Sequence, residues 1–98
     1  ILFDDMVDTA GSLCNAAKAI VEVGGAKKVY ACASHGVLSG PAIDRINNSV
    51  IKELALLDTI PAIDPAKSEK IKYLSVANMF AEAIERIYEE QSVSKLFR

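Results

Sequence analysis

The run Val29-Tyr30-Ala31-Cys32-Ala33 constrains this chain most. It is opened by Lys27-Lys28, closed by Ser34-His35-Gly36, and apolar on both faces of a pleat. Such a strand suits the middle of a parallel sheet with helices above and below it. The flanking sequence supplies helices. From Ser12 the apolar residues Leu13, Ala16, Ala17, Ile20 and Val21 recur at the spacing of one helical face, and Gly24-Gly25 stops the helix. Gly40-Pro41 opens a second helix through about Asn47, with Pro41 in the first turn, where its missing N–H costs nothing. Ile1-Leu2-Phe3 reads as a short strand ended by two acids, and residues 53–58 as a buried strand ended by Asp58. Thr59-Ile60-Pro61 and Asp64-Pro65 mark a loop. Residues 71–74 form a further strand candidate, and Ser75 can cap a last helix. That helix has Val76, Met79, Phe80, Ala83, Ile84, Ile87 and Tyr88 on its core face and a Glu82–Arg86 pair on its polar face. The order β-α-β-α-β-β-α predicts an α/β fold, a mostly parallel sheet with helices on both faces.

Ninety-eight residues make one small domain or part of a larger one. The chain lacks an initiator Met and opens inside a strand, which suggests a fragment. Its composition, 51% hydrophobic and 24% charged, is that of a folded globular chain. A net charge of −2 with no basic run gives no field to gather a polyanion, so nucleic acid is not an expected partner. No apolar run approaches the ~20 residues of a bilayer crossing, and no signal peptide opens the chain. Cys14 and Cys32 have neither C-x-x-C nor metal-ligand spacing and read as reduced core thiols, consistent with the cytoplasm.

In open parallel sheets, ligands lie beyond the carboxyl ends of the strands. The first such end is chemically loaded. Asp8, Thr9, Gly11 and Ser12 precede a helix whose free N–H groups and dipole attract an anion. Gly11 lets the backbone approach closely, and the Thr9 and Ser12 hydroxyls can donate to phosphate oxygens. Asp4 and Asp5 would repel a phosphate but accept hydrogen bonds from vicinal hydroxyls. A phosphorylated ribose satisfies both ends. The plainer alternative is a strand-helix turn whose Asp and Ser only cap the helix. His35 reads as a loop hydrogen-bonding residue and Asp58 as a capping or solvated one.

These residues resemble a known fingerprint. Leu2-Phe3-Asp4-Asp5-Met6-Val7-Asp8-Thr9-Ala10-Gly11-Ser12 is similar to the phosphoribosyl-binding motif D-D-x-x-D-T-G-G-T/S of the type I phosphoribosyltransferase fold. Within that fold the chain resembles the ribose-phosphate pyrophosphokinase family. Further matches are Ser34-His35-Gly36-Val37-Leu38-Ser39-Gly40-Pro41-Ala42-Ile43, Arg45-Ile46-Asn47-Asn48, Asp58-Thr59-Ile60-Pro61, Ala81-Glu82-Ala83-Ile84-Glu85-Arg86 and Ser92-Val93-Ser94-Lys95-Leu96-Phe97. The fingerprint alone leaves adenine, orotate or uracil phosphoribosyltransferases open; the later segments resemble the pyrophosphokinases.

The resemblance implies a C-terminal phosphoribosyltransferase-like segment whose upstream half is absent. It implies that Asp4 and Asp5 hold the ribose hydroxyls and that Asp8-Thr9-Ala10-Gly11-Ser12 wraps the 5-phosphate of ribose 5-phosphate. The implied reaction transfers pyrophosphate from ATP, with Mg²⁺, to the 1-hydroxyl of ribose 5-phosphate, giving phosphoribosyl pyrophosphate and AMP. In the family the ATP pocket, the metal ligands and the mobile catalytic loop lie upstream, so no catalytic or metal residue is expected here. A homo-oligomer is implied. So is a regulatory loop at Ser92, Val93, Ser94 and Phe97 that takes ADP or phosphate; the plainer reading there is a frayed C-terminus. Ala10 stands where many relatives have Gly and fits if its φ is negative. Ser12 stands for the commoner Thr and keeps the hydroxyl. A catalytically silent synthetase-associated regulatory subunit is the alternative, and a base phosphoribosyltransferase a more distant one.

Overall fold

The computed structural model describes residues 1–89. Four strands form one sheet in the order β1-β2-β3-β4: β1 (Leu2–Val7), β2 (Val29–Gly36), β3 (Ile51–Leu57) and β4 (Ile71–Leu74). Every neighbouring pair is parallel. Three helices, α1 (Gly11–Glu22), α2 (Ala42–Asn47) and α3 (Ala77–Tyr88), and a 3₁₀ turn at Pro65–Lys67 complete the described chain. The α/β class and the parallel sheet are as the sequence predicts.

The core lies on one face. Val29, Ala31 and Ala33 alternate along β2 and sit beside Ile51, Leu54 and Leu56 of β3, and all are buried. Leu13 and Ala17 of α1 and Ala42 and Ile46 of α2 close over them. Successive parallel strands laid down in one direction with crossovers of one hand bring the connecting helices to the same face. The sequence predicts helices on both faces; among the described residues α1 and α2 share one. The opposite side exposes Phe3 (79%), Tyr30 and Leu74 (61%). The apolar stripe of α3 is exposed as well, with Phe80, Ile84, Ile87 and Tyr88 outside and no buried residue in the helix. These are therefore not core residues within the described chain.

Other differences are local. β1 continues through Asp4, Asp5 and Met6, because those positions are exposed and a carboxylate in water costs the strand little. Cys14 and Cys32 are free but only half-buried, Cys14 on α1 and Cys32 on β2. The start of the last helix is capped as expected by Ser75, whose hydroxyl accepts from the Ala77 N–H at 3.3 Å. Asp58, just after β3, accepts from the Val76 N–H at 2.8 Å. The Glu82–Arg86 pair forms, at 3.1 Å.

Candidate functional site: the β1–α1 bend

The bend between β1 and α1 is fixed from behind. The Val7 carbonyl accepts from the N–H groups of Val37 and Leu38 at 2.9 and 3.1 Å, and the Asp8 carbonyl from the Ser39 N–H at 2.9 Å. The Thr9 carbonyl accepts from Arg45 Nη1 at 3.1 Å. All these donors come from the segment after β2. In a trans peptide the C=O and the following N–H point opposite ways. Successive carbonyls turned towards α2 therefore aim the N–H groups of Asp8, Thr9 and Ala10 to the other side.

The helix that follows begins bare. Its first ladder bond runs from the Cys14 N–H to the Ala10 carbonyl, so the N–H groups of Gly11, Ser12 and Leu13 precede the ladder. The N-cap is Ala10, and no side chain among the described residues caps this end. The plainer reading, in which Asp8 or Ser12 merely caps α1, is thus not what the structure shows. Ala10 has φ of 65°, in the left-handed region, so the condition under which an alanine fits there without strain is not met. Its methyl is buried, 5% exposed, and that packing offsets part of the conformational cost.

A pocket of about 190 Å³ opens on the free side of the bend. Asp4, Asp8, Thr9, Ala10, Gly11 and Ser12 line it with Met6, Val7 and Leu13. Asp5 does not line it but adjoins Asp4, whose Oδ1 accepts from the Asp5 N–H at 2.8 Å. A hydrogen bond shared with the Asp4 carboxyl lowers the pKa of Asp5 below the ordinary carboxylate value. The backbone N–H groups of Met6 and Asp5 act in the same direction, and His35 adds a smaller attraction. Both acids are exposed at the rim.

His35 hydrogen-bonds through Nδ1 to Thr59 Oγ1 at 2.6 Å, and that hydroxyl reaches the Ser34 carbonyl at 3.2 Å. A hydroxyl has one proton. Donating it to Ser34, Thr59 accepts from the imidazole, which places the His35 proton on Nδ1. The loop-bonding role expected of His35 is the one it has. Among the described residues no group of three or more His, Cys, Asp or Glu side chains converges on a metal position. Ser92, Val93, Ser94 and Phe97 lie outside the described residues. No helix among the described residues is long and apolar enough to cross a membrane.

The sequence did not point to Arg45 or to the backbone of residues 37–39 as parts of this site. Arg45 lies in a quoted motif, but a contact from α2 to a bend 36 positions earlier leaves no trace in periodicity.

Known proteins resemble this chain closely. Ribose-phosphate pyrophosphokinase of Clostridium tetani is 66% identical over 97 residues, covering 99% of this chain and 30% of that protein. The Bacillus subtilis enzyme of the same name is 57% identical over 97 residues, again 99% and 30%. The crystal structure of phosphoribosylpyrophosphate synthetase from Mycobacterium smegmatis superposes with a TM-score of 0.85 at 35% identity, over 91% of this chain and 30% of that one. The chain thus spans about 30% of the length of the curated relatives it matches. The model of the phosphoribosyl synthetase-associated domain matches residues 1–98, and the chain belongs to that family.

Proposed function

We propose that this chain is the sugar-phosphate half of the active site of a ribose-phosphate pyrophosphokinase. The observation that carries this is the uncapped start of α1, its bend carbonyls turned away, opening beside two exposed carboxylates. The 5-phosphate of ribose 5-phosphate lies over the N–H groups of Ala10, Gly11, Ser12 and Leu13, with the Thr9 and Ser12 hydroxyls and the backbone N–H of Asp8 around it. Asp4 and Asp5 accept hydrogen bonds from the vicinal hydroxyls. A ribose held at both ends can present its 1-hydroxyl in only one direction. Phosphoryl transfer gains much of its rate from such positioning.

On this reading the pyrophosphoryl group of ATP passes to that hydroxyl, and phosphoribosyl pyrophosphate and AMP leave. ATP and its magnesium are held by parts of the polypeptide beyond these residues. The assembly is a cytoplasmic homo-oligomer, with ADP or phosphate acting at Ser92, Val93, Ser94 and Phe97. The 98-residue chain alone is inactive, and AMP release above background from it would refute this division of labour.

The direct test uses the full-length polypeptide. Asp4→Asn and Asp5→Asn each raise KM for ribose 5-phosphate, on the order of tenfold to a hundredfold for a lost charge-assisted hydrogen bond. KM for ATP stays close to its original value. Unchanged KM for ribose 5-phosphate in both variants would remove the acids from the site. Base-dependent release of pyrophosphate in place of AMP would reassign the chain to a base transferase.

A further inference from the structure

The bend is held by backbone donors at Val7 and Asp8, which any residue can supply, and by one side chain at Thr9. That side chain is Arg45, in the last turn of α2. Its Nη1 lies 3.1 Å from the Thr9 carbonyl. The same nitrogen would lie 3.1 Å from a Cβ built at Gly11. Gly11 therefore leaves the space in which the guanidinium sits. Among the residues that fix the bend, Arg45 alone brings a positive charge.

We infer that Arg45 is a positioning residue for the sugar phosphate, acting through the Thr9–Ala10 peptide. This rests on the sugar-phosphate reading of the bend. With its carbonyl held towards α2, the peptide aims the Ala10 N–H into the pocket, since the two groups of a trans peptide oppose each other. Ala10 is left-handed at φ 65°, a conformation that a non-glycine residue leaves readily unless its neighbours hold it. Arg45 holds it from one side and the buried methyl from the other. A freed peptide would turn its carbonyl oxygen, a partial negative charge, towards the phosphate. The function of Arg45 is thus to prevent a repulsive flip without touching the ligand.

The test is kinetic and uses the full-length polypeptide. Arg45→Met raises KM for ribose 5-phosphate by about tenfold, the scale of one charge-assisted hydrogen bond. KM for ATP and kcat stay within about twofold, the pattern of a loss confined to binding one substrate. Arg45→Lys, which can still donate to the Thr9 carbonyl, recovers most of the loss. A fall in kcat with both KM values moving together and a lower Tm, unrescued by Lys, would show a merely structural residue and overturn the proposal. If Arg45→Met leaves KM for ribose 5-phosphate unchanged while Asp4→Asn raises it, the role of Arg45 is refuted and the site stands. If neither variant moves that KM, the site reading falls, and the inference with it.

Discussion

The two faces of the sheet differ more than their sequences do. On the α1–α2 face, Ile46, Ile51, Leu54 and Leu56 are each 0% exposed. On the other, Phe3, Tyr30 and Leu74 are as apolar, yet water reaches them. The contrast repeats at α3, whose N-cap residue Val76 is buried while Phe80, Ile84 and Ile87 in the helix lie outside. The bend draws its rigidity from the packed face, because the segment that clasps it runs between β2 and α2. The site therefore depends on one face, and the apolar residues of the other have no counterpart among the described residues.

The sharpest way to probe that contrast is to delete side chains on each face. Leu56→Ala should cost about 2–5 kcal/mol, the range for a fully buried leucine. Phe3→Ala should cost no more than about 0.5 kcal/mol where its surroundings are solvent. Urea unfolding of the 98-residue chain and of the full-length polypeptide reads both. If Phe3→Ala in the longer polypeptide costs about 3 kcal/mol or more, the open face is covered there by other parts of the protein. Equal small losses in both would mean the face is solvent-exposed in both.

Gly36 gives the next largest effect, and it lies where the two faces meet the bend. A Cβ there would clash with Cδ1 of Leu56, a fully buried side chain that would have to shift within the core. Gly36→Ala should cost about 1–3 kcal/mol as an overpacked position. In a Leu56→Ala background the space is vacated and the cost should shrink, which a double-mutant cycle measures. Simple additivity would show that the strain lies elsewhere.

Asp58 tests the junction of β3 with α3. Its carboxylate accepts from the Val76 N–H, which lowers its pKa below 3.8. For a carboxylate with a depressed folded-state pKa, the stabilising contribution is present above 3.8 and is lost as pH falls through the folded value. Asp58→Asn should therefore lower stability at neutral pH and flatten the acid limb below about pH 4. Thermal unfolding followed from pH 7 to pH 3 checks it. An unchanged acid limb would mean that the bond to Val76 does not depend on charge.

The fold was legible wherever the pattern depended on local chemistry. The strand at Val29, the stripe of Leu13 and Ala17, and the stop at Gly24-Gly25 follow from alternation, helical period and glycine. The end of β1 was not legible, because acids stop a strand only where it is buried, and burial is not written at Asp4. The 3₁₀ turn at Pro65–Lys67 was hidden behind a proline signal that reads equally as loop; the Asp64 side chain, accepting from the Ala66 N–H at 3.0 Å, tightens it. At the site, the residue types of the bend were legible and its mechanics were not. Hydroxyls, a glycine and acids announce themselves, whereas the clasp from residues 37–45 is a tertiary contact.

Ala10 gives the smallest effect, and it separates conformation from packing. A left-handed alanine costs roughly 1–2 kcal/mol relative to the right-handed region. Glycine at this position would relieve that cost. It would also lose a buried methyl worth about 0.8 kcal/mol and add about 0.4–1 kcal/mol of unfolded-state entropy. The terms nearly cancel, so Ala10→Gly should change stability by less than about 0.5–1 kcal/mol. Binding is the more sensitive readout. With the methyl gone, only Arg45 restrains the Thr9–Ala10 peptide, so Arg45→Met should raise KM for ribose 5-phosphate further in an Ala10→Gly background than in the native one. Equal effects in the two backgrounds would show that the methyl packs for stability alone and takes no part in aiming the Ala10 N–H.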